Sequence, residues 1–283
     1  MIGELSSLVK QVSIKCVAPS HWERLVDRVA VEEPLEIHLQ HWFKGVRVTE
    51  SLALMMRTPG NDRELAAGFL FSEGIIQSRE EIQEMRSLGG EGSNELLVEL
   101  SDEVDVEIWR MSRAAFVNSS CGVCGKRSIE ALHRQSRIAP DDKFLIDAVV
   151  FNELPNKLSQ AQKGFAQTGG LHAAALVDGV GHIIEDAVFE DIGRHNALDK
   201  LIGSRVLKGE TCLAECVLFL SSRSSFELVQ KAAAAGVPVL ATVGSPSSLS
   251  IESARSCGLT LLGFVRNNRF NIYAGEWRII GAG

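Results

Sequence analysis

With 283 residues, the chain is long enough for one large domain or two ordinary ones of ~100–200 residues each. It is 45% hydrophobic and 23% charged, so a sizeable core is available, and a net charge of −7 argues against a nucleic-acid binder working through a broad basic face. The longest apolar runs, such as residues 232–241, fall short of the ~20 residues of a membrane helix. The start also lacks the features of a secretory signal. Both observations point to the cytoplasm, where structural disulfides are rare and a CxxC more often serves metal binding or redox chemistry.

In chain order, residues 34–40 alternate as a strand, with Leu35, Ile37 and Leu39 on one side, and residues 46–56 form a second such run. The turn Arg57-Thr58-Pro59-Gly60 follows. Asn61 with Glu64 resembles a capping box opening a helix that carries Leu65, Ala66, Phe69 and Leu70 on one face. Residues 80–107 hold ten acids against one base, Arg86, which reads as a solvated edge of short strands at 95–100 and 104–109. The pattern then predicts a helix over 127–137, a strand over 143–150 and a helix near 152–162.

From there the alternation is regular. Strands at 171–177 and 182–188 precede a helix at 192–202. Strand 216–220, helix 226–234, strand 237–242, helix 247–256 and strand 259–264 follow. Such alternation implies right-handed crossovers and a largely parallel sheet. The fold class is therefore α/β, divided into an N-terminal α+β portion (1–115), a CxxC loop with a linking helix (116–142) and an α/β domain (143–283).

Six cysteines are present, and Cys121 and Cys124 form the only CxxC; Cys16, Cys212, Cys216 and Cys257 are scattered. Ser, Asn and Gly surround the pair, and Lys126 and Arg127 follow it, as suits an accessible thiolate in a positive environment. Spacing alone leaves three readings open. A thiol–disulfide oxidoreductase lacks its thioredoxin-like context here. A structural zinc site lacks a second ligand pair. A sulfur-transfer site needs one exposed nucleophilic thiol and profits from a second.

Other polar clusters sit at strand–helix junctions: residues 165–172 ending in His172, residues 190–200 with Arg194 and His195, Ser221 to Ser225 around Arg223, and Gly244 to Ser248. Each alone is an ordinary capped turn, with Asp191 serving as a plain N-cap. Together, at the ends of successive strands, they suggest one anion-tolerant pocket. Phe264, Val265, Arg266, Asn267, Asn268 and Arg269 close the series. Their arginines suit phosphate and their asparagines a base, although an exposed hairpin turning at Asn267-Asn268 explains them equally.

These segments, in this order, resemble the FdhD family. The resemblance rests on Arg57-Thr58-Pro59-Gly60, the Ser119-Ser120-Cys121-Gly122-Val123-Cys124-Gly125 loop, Thr168-Gly169-Gly170-Leu171-His172, the run from Asp191 to Ala197, the run from Phe226 to Lys231, and the run from Gly263 to Asn271. It spans roughly residues 34–275. It implies a C-terminal three-layer domain similar to cytidine deaminases, and a homodimer that acts with a cysteine desulfurase and a molybdenum formate dehydrogenase. It further implies that Cys121 carries a persulfide with Cys124 as its helper. Phe264 to Arg269 then matches the stretch that holds the molybdenum bis-(molybdopterin guanine dinucleotide) cofactor receiving the sulfur. A chaperone that only binds this cofactor is the alternative. A zinc deaminase is not expected, because His172-Ala173-Ala174 lacks the Glu of H-x-E and no proline precedes the CxxC.

Overall fold

The computed structural model describes residues 8–90, 92–106 and 143–281. Cys121, Cys124, the predicted helix over 127–137 and the division at 116–142 lie outside the described residues.

Strands β1 (Val9–Ala18) and β2 (His21–Ala30) form an antiparallel hairpin with no third strand among the described residues. β3 (Glu33–Phe43) and β4 (Val46–Arg57) follow, then helix α1 (Asp62–Ser72), β5 (Ile82–Ser87) and β6 (Glu95–Leu100). These four strands make one sheet in the order β4-β3-β6-β5. Asn61 takes the N-cap position of α1 in a left-handed conformation (φ 56°) and its side chain makes no capping hydrogen bond, so the expected capping box does not form. The turn is held instead by Arg57, whose Nε and Nη2 donate to Asp62 Oδ1 and Oδ2 at 2.8 and 2.9 Å.

Beyond residue 143, the expected strand over 143–150 shrinks to β7 (Ile146–Asp147). The Asp147 carboxylate accepts a hydrogen bond from Val149 N (2.9 Å) and turns the chain into a 3-10 helix, which the β-branched pair Val149-Val150 does not signal. Helices α2 (Leu154–Ala161) and α3 (Phe165–Thr168) follow, α3 ending at Gly169 with φ 65°. Strands β8 (His172–Val177) and β9 (Ile183–Asp191) form a hairpin. The remaining elements alternate: α4 (Arg194–Leu207), β10 (Val217–Leu220), α5 (Phe226–Ala234), β11 (Val239–Thr242), α6 (Ser248–Ser256), β12 (Thr260–Arg266) and β13 (Arg269–Ala274). β14 (Ile279–Ile280) pairs with β7.

The six-stranded sheet runs β13-β12-β11-β10-β8-β9. It is mixed rather than largely parallel. β10, β11 and β12 are parallel, while the β8–β9 and β12–β13 hairpins bring an antiparallel strand to each side. Leu218, Leu220, Leu240 and Leu261 face α4, α5 and α6, whereas Val217, Phe219, Val239 and Ala241 face α2. Such two-faced burial is why these strands read as continuous apolar runs.

The core on the α4 side continues into the N-terminal sheet through α1. Here α1 and α4 cross at two glycines. A Cβ on Gly68 would lie 1.9 Å from Asp199 O, and one on Gly203 would lie 1.8 Å from Glu64 O. Only hydrogen at both positions permits that approach.

Candidate functional site

Because β8 runs antiparallel to β10, its first residue lies beside the carboxyl end of β10. Each polar cluster singled out in the sequence at residues 165–172, 190–196, 221–225, 244–248 and 264–269 therefore meets at one end of the sheet. In open α/β sheets, ligands bind at the carboxyl ends of the strands.

The loops after β10, β11 and β12 are stitched together by their backbones. Gly244 N donates to Ser222 O (3.0 Å), Phe264 N to Gly244 O (3.0 Å) and Ser247 N to Ser224 O (3.1 Å). On the other side, Ala173 N donates to Ser221 Oγ (2.8 Å) and Ser221 N to Ala173 O (3.0 Å). Close backbone packing makes Gly244 necessary, since a Cβ there would meet Arg223 Cα at 2.8 Å.

Within this frame, Phe264 occupies a left-handed conformation (φ 53°) at the register shift between Gly263 and Arg266. For a bulky residue that costs about 1–3 kcal/mol and is tolerated mainly where function demands it. The expected segment divides into distinct roles. Val265 is buried in the core, Arg266 Nη1 donates to Val243 O (2.7 Å), and Asn267 and Asn268 form the exposed turn between β12 and β13. The hairpin expected as the plainer reading is thus present; Arg266, Asn267, Asn268 and Arg269 are all exposed at the sheet end. Beside them, the Ser224 hydroxyl is buried with no hydrogen-bond partner among the described residues.

Asp191 is not the N-cap of α4, a position held by Gly193. It ends β9, fully buried, and its carboxylate takes hydrogen bonds from Gly193 N, Asn196 Nδ2 and Thr58 N at 2.8, 3.0 and 3.1 Å. Lys200 Nζ lies 2.7 Å from Asp191 Oδ2 and donates to Thr58 O at 2.8 Å. The Arg57-Thr58 turn is thereby anchored to the sheet end. Glu190, the next-to-last residue of β9, has a similar use. Its carboxylate accepts Gly164 N and Phe165 N, both at 2.8 Å, and fixes α3 beside the site.

His195 Nε2 lies 3.2 Å from Ser225 Oγ and 3.1 Å from Glu227 Oε2. Both contacts use the same ring nitrogen, so this is not the relay of a hydrolytic triad, which needs one partner on each nitrogen. Glu227 was not singled out for chemistry in the sequence, because it meets His195 from a different helix. Burial, followed by the Arg194 charge, holds His172 below the usual histidine range against an opposing pull from Asp191.

The sign of its effect on stability follows. The unfolded chain takes up this proton at higher pH than the folded one, so stability is present above about pH 6.5 and is lost as the pH falls through the folded value. His172→Gln is expected to flatten that loss, which urea midpoints at about pH 7.5 and about pH 5.5 would measure.

The remaining thiols differ in exposure. Burial pushes Cys216 up to about 11 and raises Cys257 as well, so both stay protonated near neutrality. Cys16 and Cys212 are exposed. No group of metal-ligating side chains occurs among the described residues, and no described helix is long and apolar enough to cross a membrane.

Comparison with known proteins gives a consistent result. The FdhD/NarQ family model matches residues 30–280. The chain is 43% identical over 261 residues to the sulfur carrier protein FdhD of Streptomyces avermitilis, covering 89% of each chain. It is 40% identical over 271 residues to the protein of that name from Sulfolobus acidocaldarius, covering 96% of this chain and 98% of the relative. A crystal structure described as a formate dehydrogenase accessory protein from Desulfotalea psychrophila superposes with a TM-score of 0.74 at 23% identity. That match covers 96% of this chain and 100% of the other and bears on the fold.

Proposed function

The chain belongs to the FdhD/NarQ family, and from that premise we propose that it is a cytoplasmic sulfur carrier for formate dehydrogenase, acting through a persulfide on Cys121. The observation that carries this reading is the single CxxC of the sequence in a chain whose relatives are named as sulfur carriers over most of their length. Cys216 and Cys257 are poor rivals, because a buried protonated thiol is a weak nucleophile.

In the first step, the Cys121 thiolate attacks the terminal sulfur of a persulfide on a cysteine desulfurase, whose own cysteine leaves as thiolate. The product is Cys121–S–SH. Delivering this sulfur as sulfide takes two electrons. Cys124 supplies them by attacking the Cys121 sulfur, which closes a disulfide and frees hydrosulfide. With one proton, this replaces an oxo ligand on the molybdenum bis-(molybdopterin guanine dinucleotide) substrate, the oxygen leaving as water, and a cellular dithiol then reduces the disulfide. The stitched loops at the sheet end hold that substrate. Arg269 and Arg223 meet its phosphates, and the Phe264–Asn268 segment meets its base. We read the β8-to-β12 order, with helices α5 and α6 joining the three parallel strands, as a cytidine-deaminase-like frame put to this use.

Two measurements test the reading. In cells lacking the chromosomal carrier, Cys121→Ala is expected to lower formate dehydrogenase activity at least about 100-fold. A chaperone that binds cofactor without moving sulfur predicts full activity instead. Guanosine diphosphate titrated into the protein by calorimetry is expected to bind at least about tenfold more weakly to Arg269→Ala, as charge-assisted contacts contribute roughly 1.5–3 kcal/mol. Unchanged binding would remove Arg269 from the site.

A further inference from the structure

The β1–β2 hairpin has ten residues in each strand, and nine of the ten in β2 are exposed. A two-stranded ribbon is marginal in water by itself, and although Val12 and Ile14 on one face are partly buried, the Trp22 face is open along its length. The register separates two unlike faces. Val17 opposes Trp22, Lys15 opposes Arg24, Ser13 opposes Val26 and Gln11 opposes Arg28. That face carries exposed valines, a tryptophan and three cations, and no acid. Val17, Trp22 and Val26 are 73%, 54% and 66% exposed, and Lys15 Nζ lies 3.9 Å from the centre of the Trp22 ring. Glu23 and Asp27 lie on the opposite face.

A surface of complementary charge exists on the same chain. β5 is one of the two edge strands of the four-stranded sheet, and Glu80, Glu84, Glu95 and Glu103 are exposed around it beside a single exposed base of that strand, Arg86. Ten acids against one base make residues 80–107 the most acidic stretch of the sequence. Two Trp22 faces meeting each other would oppose Lys15, Arg24 and Arg28 with their own copies, which like-charge repulsion disfavours.

We propose that the Trp22 face of the β1–β2 arm docks on the acidic β5 edge of a second copy of this chain, and that the reciprocal contact closes a twofold pair. This rests on the chain meeting a second copy, as the family resemblance implies, and assigns the surface through which it does so.

Sedimentation equilibrium of the full chain tests it. At low salt the wild type is expected to show a two-chain mass, with association weakening as salt screens the charges. The triple variant Lys15→Glu, Arg24→Glu, Arg28→Glu is expected to self-associate more than about tenfold more weakly. So is the triple variant Glu80→Lys, Glu84→Lys, Glu103→Lys. An equimolar mixture of the two restores both contacts and returns to the two-chain mass with one copy of each. A wild type that stays monomeric at ~50 µM would remove the pairing itself. Wild-type pairing that neither triple variant disturbs would leave a dimer but overturn the arm as its surface. Loss in both variants without recovery on mixing would overturn the arm-to-edge contact in favour of another acidic protein.

Discussion

Gly203→Ala is expected to cost at least about 3 kcal/mol of folding stability and to lower the urea midpoint sharply, because the added methyl has nowhere to go. It would sit 1.8 Å from Glu64 O and 2.5 Å from Gly68 N. Both are backbone atoms of α1, so no side chain can rotate away and the helices themselves must separate. Alanine's better helix propensity returns only about 1 kcal/mol. Separation would loosen Leu65 and Ala66 of α1 from Leu198 and Leu201 of α4, and with them the single core joining the two sheets. Gly68→Ala is expected to behave alike, and the double variant to fall short of the sum, since both open the same crossing. A Gly203→Ala protein as stable as wild type would show that the crossing is looser than described.

The second large effect is expected at Asp191. Replacing it with alanine removes the 2.7 Å ion pair to Lys200, and three further hydrogen bonds lose their acceptor. Lys200, 1% exposed, would keep only Thr58 O among its described partners. Breaking a buried pair from one side typically costs about 3–5 kcal/mol, because the stranded charge stays desolvated. Removing both charges with Asp191→Ala and Lys200→Met is therefore expected to cost less than Asp191→Ala alone. Chemical denaturation of the wild type and the two variants decides this. A single-variant loss under about 1 kcal/mol would mean that water reaches Lys200 and the anchor is weaker than its geometry suggests.

Much of the C-terminal half was legible in the sequence for a plain reason. Val217–Leu220 and Val239–Thr242 are buried on both faces, so each stands out as an apolar run between turn residues. The bounds of the helix over residues 226–234 match those expected. The hairpin over residues 9–30 left no such trace, because neither face is buried and no one-sided alternation marks it. β5 was hidden similarly, with only Ile82 and Met85 buried and a register shift between Ile82 and Glu84.

The site was legible in pieces. Each polar cluster announced itself, but their convergence depends on β8 running antiparallel to β10, which brings His172 to the end where Ser221 to Ser225 emerge. Contacts such as His195 to Glu227 join different helices and have no local signature. The role of Cys121 still rests on the sequence and the family.

The most direct test of that role is intact mass after incubation with a cysteine desulfurase and cysteine, comparing wild type, Cys121→Ala and Cys124→Ala. The carrier account predicts an added sulfur of about 32 Da, labile to reductant, on wild type and Cys124→Ala and absent from Cys121→Ala. No added sulfur on the wild type with a competent desulfurase would contradict it and leave a cofactor-binding chaperone as the better account.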